Sequence, residues 1–485
     1  MKITIKGNYS RLEPFEDPGL KTLLTNKRQV QERGPRGGTG ESVIEEEPLY
    51  FEISPGSVIT YTGLIPRLER YCKYKGVKYH IEDLRIPPSL PDFSRLKGKL
   101  RFAQKEAIAA VASSFSGQVK LPTANGKTQI IAILTELYRG HSKVVVVSEN
   151  SSVLKTIYDR IKEFNPGVGY ILNKDSSMVK KVDYIVCSTK SLHKLEAKWA
   201  DILLYDEVHS AAAPVVSRHL SRFSNTRMFG FTATPKGRSD NSELVIEALF
   251  GPEIINVSYS QSEKAGVICP IKVYMVPVEG GGGDAMRKKS DIARDRQGIW
   301  RNRIRNQKIA DVVHNIPKEE QVLIVTNTAE HVFRIRKFLP DFIPVHGGLS
   351  DKRFQQFVKW GLIDPKDGKA RNPNVNKIAD GFRKGDIRGV IATNVWKEGV
   401  DFPNLAFLVR ADGKRGAIPS IQIGGRLSRK EGGKNFGVLL DFYDDLGRTF
   451  IGRTKDRMRF YKKEGWAVEE GWPNIPRLVT ELRKT

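Results

Sequence analysis

Short runs of consecutive apolar residues recur along most of the chain, separated by polar turns and helix-like stretches. Because an unbroken run of four to six apolar residues suits a strand covered on both faces, the pattern predicts parallel sheets flanked by helices. Two such series, separated by a gap, predict two doubly wound α/β domains. The clearest runs are 143–148, 183–188, 201–205 and 228–232, and then 321–326, 389–393, 405–409 and 437–442.

The remaining segments differ in texture and set the expected domain boundaries. The first 95 residues alternate in places between apolar and polar positions, which predicts a small α+β domain. The periodic pattern of apolar residues is lost near 251–266, which is expected to separate the two α/β domains. The last segment of the chain is basic and has a helical pattern. The polar stretch 363–378 is expected to be an exposed insertion. The expected parts are 1–95 (small α+β domain), 96–258 (first α/β domain), 259–450 (second α/β domain) and 451–485 (basic helical extension).

The charge balance points to a polyanionic partner. Lys and Arg number 80 against 55 Asp and Glu, a formal net charge of +25. Such an excess favours nucleic acid, although a generally basic, soluble surface is the alternative. The cysteines Cys72, Cys187 and Cys269 have no metal-binding or disulfide spacing, which predicts buried thiols in a reducing cytoplasm. No apolar run reaches the ~20 residues that span a bilayer, so no membrane partner is expected.

The stretch 121–128, LPTANGKT, has the ending of a phosphate-binding loop. Backbone N–H groups at a helix start bind phosphate, Lys127 would add charge near the β- and γ-phosphates, and Thr128 would bind Mg²⁺. The usual pattern has glycine where this chain has Leu121. On its own, the stretch is equally consistent with an ordinary helix start.

A second motif favours the nucleotide site. DILLYDEVH, residues 201–209, is an apolar strand that ends in two carboxylates and a histidine. Asp206 at the carboxyl end of the strand is placed to hold Mg²⁺, and Glu207 to take a proton from water. Ligands bind at that edge of open α/β sheets, which disfavours the alternative of an ordinary solvated turn.

These residues resemble superfamily 2 helicases and translocases, and the resemblance extends over about residues 95–465. It implies two RecA-like domains that use ATP and Mg²⁺. The matching elements are Leu100–Gln104 (L-R-x-x-Q), Leu121–Thr128 (phosphate loop), Asp206–His209 (D-E-x-H), Thr232–Pro235 (T-A-T-P), Thr326-Asn327, His346-Gly347, Thr393 with Glu398–Pro403 (T-x(4)-E-G-[IV]-D-x-P) and Gln422–Arg429 (Q-x-x-G-R-x-x-R).

The resemblance implies roles for individual residues. Catalytic roles fall to Lys127, Asp206, Glu207, Gln422, Arg426 and Arg429. ATP contacts fall to Arg101, Gln104, Pro122, Thr123, Ala124, Asn125, Gly126, Lys127, Thr128, Gly399 and Asp401, and Mg²⁺ ligation to Thr128 and Asp206. Nucleic-acid contact or coupling falls to Thr189, Thr232, Thr234, Thr326, Asn327, His346, Gly347 and Thr393.

Some of these roles have structural alternatives. Arg426 and Arg429 are expected one helical turn apart on one face of a helix, from which they reach the γ-phosphate across the interdomain cleft. Thr189 is either a backbone contact or a helix cap. His209 either couples the two sites or is a structural histidine, and Trp396 either stacks on a base or belongs to a core.

Within the superfamily, Leu121-Pro122-Thr123 and the D-E-V-H box look most like XPB-type proteins and the bacteriophage branch-migrating helicases typified by UvsW. This predicts an ATP-dependent DNA motor for forked or branched DNA in replication, recombination or repair, with residues 1–95 recognising the substrate. The expected setting is a monomer in the cytoplasm of a bacterial or phage-infected cell, associated with the nucleoid. The alternatives are an RNA helicase, a nucleic-acid clamp with a vestigial ATP site, and the motor subunit of a restriction complex.

Overall fold

The chain folds into two compact units, Met1–Ser258 and Tyr259–Thr485, each with its own seven-stranded sheet. The computed structural model describes residues 1–33, 39–96, 100–149, 154–172, 179–233, 242–288, 290–396, 402–430 and 433–482. Within these ranges no helix is long and apolar enough to span a membrane. The three cysteines are buried thiols, as the sequence predicts.

The first unit begins with a small five-stranded sheet in the order β5-β6-β2-β1-β7. Because apolar and polar residues alternate along its strands, Ile3, Leu12 and Val58 lie on one face of this sheet and pack in a core with Leu68 of α2. A separate hairpin, β3–β4, extends the α+β part. The elements are β1 (Lys2–Lys6), β2 (Tyr9–Glu13), α1 (Pro18–Leu23), β3 (Thr25–Arg33), β4 (Thr39–Pro48), β5 (Tyr50–Ser54), β6 (Ser57–Tyr61), α2 (Ile65–Lys75) and β7 (His80–Asp83).

A seven-stranded sheet forms the rest of the first unit, and its pairings are all parallel. Its order is β10-β11-β9-β12-β13-β8-β14, the doubly wound arrangement that the apolar runs predict. The elements are α3 (Gln104–Ser113), β8 (Gly117–Lys120), α4 (Lys127–Leu137), β9 (Val144–Ser148), α5 (Leu154–Lys162), β10 (Gly169–Leu172), β11 (Tyr184–Ser188), β12 (Ile202–Asp206), α6 (Pro214–Leu220), β13 (Arg227–Thr232), α7 (Glu243–Phe250) and β14 (Glu253–Asn256).

The small sheet is packed against the larger one through polar and apolar contacts. The Asn8 side chain donates to the carbonyls of Phe223 and Thr226, at 2.6 and 2.7 Å. Arg67 forms a two-pronged ion pair with Glu247 on α7. One hydrophobic cluster contains residues of both sheets, so the two parts of this unit share a continuous core.

The second unit also contains a seven-stranded parallel sheet, in the order β17-β18-β16-β19-β20-β15-β21. A π-helix, Arg296–Trp300, follows α9. The elements are α8 (Tyr259–Lys264), β15 (Ile271–Glu279), α9 (Asp291–Asp295), α10 (Arg303–His314), β16 (Val322–Val325), α11 (Ala329–Arg336), β17 (Ile343–Val345), α12 (Asp351–Lys359), α13 (Gly368–Arg371), α14 (Val375–Lys384), β18 (Gly389–Ala392), β19 (Phe407–Arg410), α15 (Ala417–Gly424), β20 (Gly437–Asp445), α16 (Arg448–Lys463), β21 (Ala467–Glu470) and α17 (Ile475–Leu482).

Two segments differ from the sequence expectation. The C-terminal segment is not helical throughout, because β21 pairs with β15 and becomes an edge strand of the sheet. The polar stretch 363–378 is mostly exposed, as the sequence predicts, but it is attached to the rest of the unit. It contains α13, whose Ala370 is buried and accepts a hydrogen bond from His346. In both cases a tertiary partner decides the outcome, and local polarity does not show that partner.

Buried ion pairs join the helices of the second unit to its sheet. Arg305 on α10 bonds Asp444, and Arg457 on α16 bonds Asp441, at 2.7 and 2.8 Å. Arg410 on β19 contacts Asp412 at 2.9 Å. Three guanidinium groups thus face three carboxylates, all nearly inaccessible to solvent. Since a buried charge without a partner is strongly destabilising, these pairs fix how α10 and α16 sit on the sheet.

The buried His331 on α11 predicts a specific loss of stability in mild acid. Burial and the neighbouring cations Arg305 and Arg334 hold its pKa well below the usual range. The unfolded chain binds a proton below about pH 6.5 and the folded chain does not, so the free energy of unfolding falls by up to about 1.4 kcal/mol per pH unit. Above that pH both states are neutral and this contribution to stability is complete.

Urea unfolding at pH 7.5 and 5.5 measures this loss through tryptophan fluorescence, because five of the six tryptophans belong to the second unit. His331→Gln is expected to reduce the difference between the two midpoints. The matched control is His314→Gln, since His314 is exposed at the end of α10. An unchanged pH difference in His331→Gln would contradict the assignment.

Candidate functional site

The loop between β8 and α4 is fixed to the sheet at the position where the usual pattern has glycine. Leu121 is fully buried, and its N–H donates to the Thr232 carbonyl at 3.0 Å. The Lys127 ammonium lies 3.5 Å from the Leu121 carbonyl. Leu121 therefore anchors the loop, and the departure from the usual pattern has a packing reason.

Left-handed backbone is concentrated around this loop. Among the residues that the structure describes, three non-glycine residues have positive φ: Ala103, Ala124 and Glu207. Ala103 caps α3, Ala124 lies within the loop, and Glu207 follows β12. Gly126, with φ 79°, caps α4. Such backbone costs about 1–2 kcal/mol for residues with a Cβ, so its clustering indicates a candidate functional site.

Glu207 is the point at which the motifs of the first unit meet. Its Oε1 lies 3.9 Å from the Lys127 ammonium, and its Oε2 lies 3.4 Å from His209 Nδ1. The Thr232 hydroxyl lies 3.5 Å from the same Oε2. The phosphate loop, the D-E-V-H box and the T-A-T-P element therefore converge on one carboxylate.

Asp206, at the end of β12, is in an environment that disfavours its charged form. Burial and the adjacent Glu207 carboxylate raise its pKa to about 7, while Lys127 and His209 oppose that rise. A cation at this position would relieve the repulsion between the two carboxylates. The pair thus has the chemistry of a cation site next to a proton acceptor.

Gln104 contacts the backbone of the phosphate loop through its side-chain amide. Its side-chain amide donates to the Asn125 carbonyl at 3.3 Å and accepts from the Arg101 N–H at 2.9 Å. The side chain is fully buried, so its bonds in this structure are to the protein. Arg101 and the neighbouring Phe102 are exposed. Phe102 is a candidate for stacking on a base that the sequence pattern did not single out, because the pattern treats its position as variable.

Other predicted loop residues lie around these. Pro122 is buried, Thr123 is half-buried, and Thr128 is half-buried in the first turn of α4. Thr189 follows β11, is nearly buried, and its N–H donates to the Ser148 carbonyl. His209 is buried beside Glu207. Thr234, Gly399 and Asp401 lie outside the described residues.

In the second unit the predicted nucleic-acid residues follow the carboxyl ends of three neighbouring strands. Thr326 and His346 are buried, and both His346 ring nitrogens bond within the protein, to Ala370 and Gly348. His346 therefore holds the turn that exposes Gly347. Asn327 is half-exposed after β16, and Thr393 is nearly buried after β18. Trp396 packs against Phe382 and Phe402 and is a core residue.

Arg426 and Arg429 do not share a regular α-helix, contrary to the sequence expectation. α15 ends at Gly424, Arg426 lies in a 3₁₀ turn, and Arg429 adopts extended backbone that pairs with Ile268. Tertiary pairing unwinds the helix: the Ser428 carbonyl accepts from the Cys269 N–H at 2.8 Å. Both arginines remain half-exposed.

Gln422 is buried at 7% exposure, and neither side-chain polar atom has a hydrogen-bond partner among the described residues. A buried amide without partners is costly, which indicates a site prepared for a polar ligand. Its position on α15, ahead of both arginines, is consistent with the predicted role at the γ-phosphate.

Two family models match the chain at the segments that carry these residues. The model of the type III restriction enzyme, res subunit, matches residues 97–237, and that of the helicase conserved C-terminal domain matches residues 305–431. The first contains the phosphate loop and the D-E-V-H box. The second contains the strand-end residues of the second sheet and Gln422–Arg429.

Individual proteins show the same relationship at low identity. The chain is 25% identical over 393 residues to the DNA 3'-5' translocase XPB2 of Sulfurisphaera tokodaii, covering 74% of this chain and 87% of that protein. It is 20% identical over 413 residues to the ATP-dependent DNA helicase uvsW of Enterobacteria phage T4, covering 79% of each. A solved fragment of a putative HsdR subunit of a type I restriction enzyme from Vibrio vulnificus matches the fold with a TM-score of 0.55 and 15% identity, covering 95% of this chain and 92% of that one.

The strained backbone of Ala124 gives a prediction for nucleotide binding. Glycine tolerates φ 72° without a Cβ penalty, whereas a β-branched residue does not. Ala124→Gly should bind a fluorescent ATP analogue within about twofold of the wild-type Kd, and Ala124→Val should bind it about tenfold more weakly or worse.

Ala109→Val is the matched control, because Ala109 is exposed on α3 with ordinary helical backbone. The control should keep the wild-type Kd. Equal weakening in both valine variants would show that the effect is a general loss of stability.

Proposed function

Because the chain belongs to superfamily 2 of ATP-dependent helicases and translocases, we propose that it is a DNA motor that acts on forked or branched DNA. Its two seven-stranded parallel sheets belong to the tandem RecA-like domains of that superfamily. The proposed reaction is hydrolysis of ATP to ADP and phosphate, coupled to movement along one strand.

The convergence on Glu207 is the observation that carries the proposal. A general base must lie where it can take a proton from the attacking water, and its orientation must be fixed. Lys127, His209 and Thr232 lie 3.9, 3.4 and 3.5 Å from the oxygens of this carboxylate. A clamp with a vestigial ATP site would not need to maintain this arrangement, together with its strained backbone and its pair of like charges.

The residues also fit ATP with Mg²⁺. The orphaned amide of Gln422 and the raised pKa of Asp206 each indicate a missing polar or charged partner. Thr128 and Asp206 would hold Mg²⁺, and the N–H groups at the start of α4 would receive the phosphates. Bound Mg²⁺ would neutralise charge on the phosphates. Arg426 and Arg429 are proposed to stabilise the charge that develops at the γ-phosphate.

DNA is favoured over RNA by the relatives, which are described as a DNA translocase and a DNA helicase. The net charge of +25 supports a polyanionic substrate without distinguishing the two. Branch migration, fork remodelling, unwinding and strand annealing remain the proposed activities, and the small N-terminal domain is proposed to select the substrate.

Glu207→Gln tests the catalytic assignment. Removal of the base should lower kcat for DNA-stimulated ATP hydrolysis by about 10²–10⁴-fold and leave ATP binding intact. Phosphate release and binding of a fluorescent ATP analogue are the two measurements. Glu163→Gln, an exposed change after α5 in the same unit, should keep wild-type turnover. Survival of turnover in Glu207→Gln would overturn the assignment.

The substrate proposal is tested with labelled forks, Holliday junctions, plain DNA duplexes and duplex RNA compared side by side. ATP should drive processing of forks and junctions, and these DNAs should stimulate hydrolysis more than duplex RNA does. Stimulation by RNA equal to or above that by forks would favour the RNA-helicase alternative.

A further inference from the structure

One surface of the first unit carries positive charge outside the motifs of the superfamily. It is formed by the segment between β11 and β12 together with α6 and the turn after it. We call it the cationic strip, and it consists of Lys190, His193, Lys194, Lys198, Arg218, His219 and Arg222.

Positive residues outnumber acidic ones in the two segments that form the strip, and Asp201 lines the same cavity as Lys198 and Arg222. Residues 189–199 and 214–226 together contain five Lys and Arg and a single acidic residue, Glu196. Glu196 is exposed and lies 3.7 Å from the ammonium of Lys198. Exposed pairs of this kind contribute little, so the local field of the strip stays positive.

Direct contacts hold the two segments together. The Arg222 guanidinium donates to the carbonyls of His193 and Leu195, both at 3.2 Å. The His193 and His219 rings lie 5.7 Å apart. Partial burial lowers the pKa of His219, and His193, Arg222 and Arg218 lower it further, which reflects how closely these groups are placed.

The strip connects two regions with proposed roles in DNA binding. It begins beside Thr189, at the carboxyl edge of the sheet, and residues 190–200 cross to the amino end of β12 because β11 and β12 run parallel. At its far end Ser221 accepts a hydrogen bond from Tyr9 of the small N-terminal sheet at 2.6 Å. A five-residue strand is about 17 Å long, or about five base pairs of duplex.

We propose that the cationic strip binds the phosphate backbone of a duplex arm and guides it from the motor edge to the N-terminal domain. This inference rests on the proposed function, because it takes DNA as the substrate. A duplex is favoured over a single strand because the strip offers many charges and few stacking surfaces. Of the aromatic residues in its two segments, Trp199 and Phe223 pack into the core of the unit, and the rings of His193 and His219 lie beside each other.

The test is the triple variant Lys190→Ala, Lys198→Ala, Arg218→Ala, whose residues are exposed. Arg222 is left in place because it holds the strip together. The control is Lys155→Ala, Lys162→Ala, Lys181→Ala, which removes the same charge from exposed sites elsewhere on the unit. Thermal unfolding midpoints establish that both variants are folded.

The measurement is the Kd for a fork with a duplex arm and for a single-stranded oligonucleotide, each across a series of salt concentrations. Each lost phosphate contact reduces the magnitude of the negative slope of log K against log salt by about 0.9. The slope measured for the strip variant on the fork should therefore be smaller in magnitude by about 2–3. Its binding to the single strand and the control's binding to both DNAs should stay at wild-type values.

An unchanged slope on the fork, or equal losses on the single strand or in the control, would overturn the inference. Failure of the proposed function has a different signature, because wild-type protein would then bind neither DNA and DNA would not stimulate its ATP hydrolysis.

Discussion

Parallel strand pairing is the constraint on which the placement of the candidate residues depends. In a parallel sheet the carboxyl ends of all strands lie at one edge, so any residue that follows a strand is delivered there. Lys127, Asp206 and Thr232 are far apart in the sequence yet meet because β8, β12 and β13 are aligned in register. In the seven-stranded sheet of the second unit, Asn327, Gly347 and Thr393 likewise lie at the edge formed by the carboxyl ends of the strands.

In the first unit, burial and the repulsion between Asp206 and Glu207 disfavour the charged carboxylates, and attraction to the Lys127 ammonium favours them. Asp206 and Glu207 are adjacent, and the backbone of Glu207 is left-handed. The ammonium of Lys127 lies 3.9 Å from Glu207, which gives attraction without a tight hydrogen bond. Lys127 can therefore exchange the carboxylate for a phosphate at modest cost. Without a ligand, the two adjacent carboxylates of the site repel each other. The site is therefore suited to binding an anion together with a cation.

Sequence periodicity predicted four adjacent inner strands of each seven-stranded sheet, because a fully buried parallel strand needs an unbroken apolar run, and β9, β12 and β16 show one. It did not predict edge strands such as β10 and β21. The motifs singled out Lys127 and Glu207, whose side chains lie 3.9 Å apart in the structure, and their catalytic roles stay a prediction. The sequence could not show features that depend on a distant partner. The pairing of Arg429 with Ile268 unwinds a predicted helix, Ala370 packs against His346 within a polar stretch, and Gln104 turns towards the loop backbone. Each outcome is decided by a residue more than 20 positions away.

The continuous core of the first unit has a consequence for how such proteins diversify. Leu64 and Phe15 of the small domain belong to the same hydrophobic cluster as Phe223, Val245 and Phe250 beside the large sheet. Excision of the small domain would expose that apolar surface to water. A small domain attached in this way cannot be exchanged at its linker alone, as a tethered module could. Recombination between relatives would have to transfer the matching faces of α6 and α7 as well, which links the inheritance of the small domain to that of the large sheet.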